Sequence, residues 1–169
     1  MVDAAKKKNP KLFLCAGGVL IHYLGDACQP LHASYMANGD PEVVVPRPKS
    51  EGNRMEAEGV HVGYEDDMIA YGYTKADLGS MLRERITDLK AKEDVPDIVS
   101  GYDAAKAVID LIHATQTDIT PRQIVDEWVS LLGVQKKARA EAMWKRFGKK
   151  TVTCMARGTR CLAKIWQAA

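Results

Sequence analysis

The sequence predicts an all-α domain, and three observations predict it. Apolar residues recur at three- and four-residue intervals along most of the chain. No period-2 alternation of useful length interrupts them, and helix start signals stand before several of the apolar stripes. The 169 residues are 46% hydrophobic and 27% charged, enough for one domain with a core and unlike the composition of a disordered chain. We therefore expect a single helical domain over residues 1–169, with no internal repeat.

The elements follow in order. Residues 11–27 read as one helix, stopped before Pro30. Lys6, Lys7, Lys8 and Lys11 ahead of the apolar run Leu12–Ile21 imitate a secretory signal. Pro10 interrupts the basic part, however, and the run continues into His22, Tyr23 and Asp26, so the stretch is expected to be a buried helix. At ten residues it is half the roughly 20 a spanning helix needs, so no transmembrane segment is expected. Residues 33–60 are rich in Pro and Gly and read as a long mobile connection, with Val43–Val45 a short extended piece. A helix restarts near His61. Leu78, Met81, Leu82, Ile86 and Leu89 share a face behind an N-cap expected at Thr74. Ala105, Val108, Ile109 and Ile112 form a stripe after Ser100. Thr120, Pro121 and Gln123 make a strong start signal for a helix burying Ile124, Val125, Trp128, Leu131 and Leu132 and ending at Gly133. Two further helices are expected, near Gln135–Phe147 and Thr151–Gln167.

The smaller signals read as structure. Trp128, Trp144 and Trp166 lie among apolar neighbours and read as core, and Gly17-Gly18 as a place for close helix packing. His113 reads as a helix-border residue. Cys15, Cys28, Cys154 and Cys161 contain no C-x-x-C pair, and Cys154 and Cys161 read as small buried hydrophobes. The net charge of +2 is unevenly spread: residues 131–169 hold ten Lys/Arg against the single acid Glu141, a net of +9, which leaves −7 for residues 1–130. The basic cluster, Lys136 to Lys150, reads as a solvated face able to attract polyphosphate or anionic lipid.

The chemistry concentrates in a few residues. His22 and Asp26 are four apart on one helix, His32 follows beyond Pro30, and His61 and Glu65 are again four apart. Two i,i+4 pairs and one loop histidine can bring five N/O ligands to one region. Imidazole and carboxylate without thiolate suit a catalytic zinc with open positions.

The segment His22 to Ser34, HYLGDACQPLHAS, resembles the motif of bacterial zinc-dependent phospholipases C and of the single-strand-specific zinc nucleases in the same superfamily. His61-Val-Gly-Tyr64-Glu65 is similar to the downstream H-x-x-Y-E element of the phospholipase branch. The resemblance implies an all-α fold, usually secreted, with three zinc ions that cleave phosphate esters. His32, His61 and Glu65 would hold one zinc, and His22 and Asp26 a second, with Asp26 bridging to a third. The catalytic machinery implied is thus Asp26 and Glu65 with their metals, acting on a phosphodiester in a phospholipid or single-stranded nucleic acid. Asp66 or Asp67 is a candidate for orienting a ligand histidine.

Three departures qualify the resemblance. The family begins with a metal-binding tryptophan and carries further His and Asp ligands before this motif, whereas no histidine precedes His22 here. The second and third sites are therefore expected to be incomplete in this chain and its activity weak. Nuclease members usually place a histidine where Cys28 stands, and the stretch from His32 to His61 is longer than in the phospholipases. The competing expectation is a non-catalytic helical binding module that uses the basic C-terminal face for anionic lipid or nucleic acid.

Overall fold

The computed structural model describes residues 1–45 and 54–169, and it is all-α apart from one short hairpin. Helix α1 (Val2–Lys6) leads into α2 (Pro10–Ala27), which starts on Asn9, whose side-chain oxygen accepts from the Leu12 amide at 3.0 Å. Strands β1 (Val44–Val45) and β2 (Arg54–Met55) pair antiparallel, Val44 opposite Met55. Then come α3 (Val60–Val62), a π-helical turn (Gly63–Met68) and α4 (Ile69–Lys75), which run on as one interrupted helix. The chain closes with α5 (Leu78–Lys92), α6 (Gly101–Asp118), α7 (Pro121–Ser130) and α8 (Lys136–Gln167).

Helix α8 is the spine, packed by α2, α4, α5, α6 and the π turn. The two C-terminal helices expected from the sequence are this one unbroken helix of 32 residues. Gly148, which looks like a break, lies inside it because a Cβ there would come within 2.7 Å of the Trp144 indole. The other two tryptophans rest on glycines in the same way: Trp128 against Gly63 and Trp166 against Gly17. Of the three rings, Trp128 is fully buried and Trp144 and Trp166 are half-buried.

Other expectations shift by a turn or less. Thr74 does not cap α5; its hydroxyl donates to the Ala70 carbonyl at 2.8 Å within α4, and Asp77 is the cap. The inner face of α6 carries Ala104, Ala107, Val108, Leu111 and Ile112, while Ala105 and Ile109 face solvent. The capping box at Thr120–Gln123 forms as expected, and Gly133, at φ +83°, follows the end of α7. Leu132 is exposed.

The largest departure is α2. It forms over the expected residues, but Leu12, Leu14, Val19 and Ile21 are 47–63% exposed. A run that is apolar at every position has no polar side to turn outward, so only the flank bearing Gly17, Leu24 and Ala27 is covered. Among the described residues no helix is long and apolar enough to cross a membrane. Of the connection expected over 33–60, residues 46–53 lie outside the described residues. The described parts are turns and the hairpin, and they put Met36, Ala57 and Val60 into the main core. Asp40 is tied to Arg122 of α7 at 2.5 Å; the Glu42 amide and that guanidinium hold its carboxyl below its ordinary value.

Candidate metal centre

Three elements meet at the candidate site: the end of α2 with its following turn, the turn at residues 36–40, and the helix restarting at Val60. Pro30 stops α2, and the turn after it is tightly bonded. The Cys28, Gln29 and His32 amides donate to the Gly25, Asp26 and Gln29 carbonyls at 3.0–3.1 Å, with Leu31 wholly buried beneath. This turn folds His32 back over the end of α2.

On the other side, the π turn carries Glu65 one helical step beyond His61. A π turn inside an α-helix is a strained insertion found frequently at functional sites. Here it is held by the buried side chains Tyr64 and Met68, and Gly63 admits Trp128: a Cβ at 63 would stand 1.9 Å from that ring. The Tyr64 hydroxyl meets Thr151 of α8 at 2.8 Å, and burial pushes its pKa up.

The structure brings His32, His61 and Glu65 together. His32 Nε2 lies 3.1 Å from His61 Nε2 and 3.0 Å from Glu65 Oε2, and His61 Nε2 lies 2.9 Å from the same oxygen. The two imidazoles are stacked, with centroids 4.8 Å apart. Each ring is held by its far nitrogen: His32 Nδ1 is 2.8 Å from Asp26 Oδ1, and His61 Nδ1 is 3.2 Å from the Ala37 carbonyl oxygen. A carboxylate and a carbonyl can only accept here, so both Nδ1 atoms carry the proton and both Nε2 atoms present lone pairs. Two lone pairs and a carboxylate oxygen thus point at one another from about 3 Å, an arrangement that calls for a cation between them. Tetrahedral zinc with legs of 2.0–2.1 Å separates its ligand atoms by about 3.3 Å, so these residues fit it after opening by a few tenths of an ångström.

The other expected residues lie at the rim. Asp26 reaches this group only through His32. His22, four residues before it, is 74% exposed, and its Nε2 is 3.5 Å from Asp26 Oδ2. Asp67 does not face a ligand histidine; it pairs with Lys136 at 2.9 Å. Cys28 points away from the site, its thiol 3.0 Å from the Leu24 carbonyl and lodged where a Cβ on Gly158 would be; burial pushes it up to about 12. Burial also pushes Cys154 up to about 11, in keeping with its reading as a small hydrophobe.

Two participants escape sequence reasoning. Gln29 is buried, accepts the Leu31 amide at 2.5 Å and brings its own amide to 3.4 Å from Glu65. The Gln-Pro step after the α2 stop is its only signal. The Ala37 carbonyl has none, because a backbone oxygen carries no residue identity. Beside His32 and His61 opens a cleft of about 430 Å³ walled by Tyr23, Ala27, Val108 and Ile112, an apolar approach to a charged floor.

No family model and no solved structure matches the chain. It is similar to a probable serine protease of Bradyrhizobium tropiciagri, 32% identical over 173 aligned residues. The match takes in the whole of this chain and 22% of that protein, so the chain spans about a fifth of its relative's length.

Proposed function

We propose that the chain is a zinc-dependent phosphoester hydrolase of the phospholipase C or nuclease type, with His32, His61 and Glu65 as the zinc ligands. One observation carries the reading: three acceptor atoms from two separate elements converge with both imidazoles fixed in the tautomer a metal needs. Three protein ligands with the fourth position open to a cleft is the pattern of a catalytic rather than a structural zinc. A zinc ion held there supplies Lewis acidity toward a phosphoryl oxygen and acidifies water to a pKa of about 7. The chain's own part is to aim the two imidazoles, to hold Glu65 through the Gln29 amide, and to seat the uncharged part of a substrate against Val108 and Ile112.

The alternative of a binding module acting through the basic face is weakened by how that face is spent. Lys136 pairs with Asp67, Arg146 with Glu127, Lys150 donates to the Asp118 carbonyl, and Arg139 lies over Trp128. The relative's name does not help to choose. Among the described residues, the hydroxyls of Ser34, Ser80, Ser100 and Ser130 bond backbone, arginine or aspartate, and none bonds a histidine.

The test is metal content together with turnover. Protein purified without chelator should carry zinc, and the double change His32→Ala and His61→Ala should abolish it. Hydrolysis of bis(p-nitrophenyl) phosphate should be slow, require zinc and stop in the double variant. Undiminished zinc in that variant, or brisk turnover that survives chelation, overturns the reading.

A further inference from the structure

We infer that Asp26 is the positioning carboxylate of His32: it holds Nδ1 so that Nε2 is aimed at the metal position, and it is not itself a ligand. The inference rests on the zinc reading above and changes the role of one residue within it.

The geometry argues the point from both ends of the ring. His32 Nδ1 meets Asp26 Oδ1 at 2.8 Å, a full hydrogen bond, while Nε2 on the opposite side meets Glu65 at 3.0 Å. Fixing one nitrogen of an imidazole fixes the direction of the other. The carboxylate also makes the ring a stronger donor to a metal, because its charge favours electron density at Nε2. The holder of His61 differs in kind, being the Ala37 carbonyl, so Asp26 is the only one of the two anchors that a side-chain substitution can remove.

The role of Asp26 as a ligand to a second ion is less well supplied. Its other oxygen has only His22 nearby, at 3.5 Å, beyond hydrogen-bond distance and mostly in solvent. Among the described residues, the group of three or more metal-ligating side chains close enough to share an ion is His32, His61 and Glu65, and Asp26 is outside it.

The experiment has two readouts on the full chain. The first is the tautomer of His32 in metal-free protein at about pH 8.5, where imidazole is neutral, read from its ring nitrogen chemical shifts. The second is zinc stoichiometry and affinity by competition with a chromophoric chelator, for the unaltered protein and Asp26→Asn, with helix content checked by circular dichroism. The expected result is a proton on Nδ1, one zinc per chain, and the same stoichiometry in Asp26→Asn with affinity lowered by roughly 10- to 100-fold. A proton on His32 Nε2 overturns the inference. So does an unaltered protein that takes up two zinc ions, with Asp26→Asn losing one while the affinity of the other stays put. A chain that takes up no zinc yet keeps the Nδ1 proton refutes the metal reading and supports the hold of Asp26 on the ring, so the two failures are told apart.

Discussion

The chain contains two His-x-x-x-acid pairs, and they meet opposite fates. His61 and Glu65 close to 2.9 Å over a third ligand, whereas His22 and Asp26 stand 3.5 Å apart with His22 largely in solvent. Their spacing and ligand types are the same, so neither accounts for the difference. What differs is the ground beneath each pair. Between His61 and Glu65 the helix is pinned by buried Tyr64 and by Trp128 seated on Gly63, and His32 is delivered from the far side. The exposed side of α2 around His22 presents Leu14, Val19 and Ile21 with nothing laid over them among the described residues. A pair of ligand types becomes a candidate site when packing brings it a third member.

The comparison can be broken most severely at Gly63. Gly63→Ala places a methyl 1.9 Å from the Trp128 ring and should cost at least about 3 kcal/mol, read as a fall in the urea midpoint with zinc uptake lost alongside. A variant of normal stability would show that Trp128 does not pin the π turn. Tyr64→Phe is milder. The Thr151 hydroxyl still has the Phe147 carbonyl to donate to at 3.1 Å, so the loss should be about 1 kcal/mol with zinc binding retained. The smallest effect sharpens the contrast: His22→Ala should alter neither stability nor the uptake of zinc at His32, His61 and Glu65, measured by denaturation and metal analysis. Loss of that zinc in His22→Ala would mean the two pairs work as one site.

How much of this was legible in the sequence depended on whether the signal was local. The α7 start could be read in full, because a capping box and an N1 proline act within four residues. The five candidate ligand residues were legible too, from side-chain type and spacing. Their grouping was not, since it depends on where the turn after Pro30 sends His32. Helix α8 was misread as two because Gly148 looks the same whether it ends a helix or makes room for Trp144. The exposure of α2 was illegible for the converse reason: hydrophobicity at every position gives no direction, and burial then depends on what the rest of the fold has to lay against it.

The length of α8 has a thermodynamic consequence. At 1.5 Å per residue its 32 residues make a rod of about 48 Å. Its first half lends Met143, Phe147 and Cys154 to the cluster under the candidate metal centre, and its second half lends Cys161 and Ile165 to the cluster under α2 and α6. Neither cluster can melt alone without breaking the helix both are built on, so the domain should unfold as one cooperative unit. A cation bound among His32, His61 and Glu65 then stabilises the native state of the whole chain by mass action. Its effect should be the same whether unfolding is followed from Trp128 beside the site or from Trp166 at the far end.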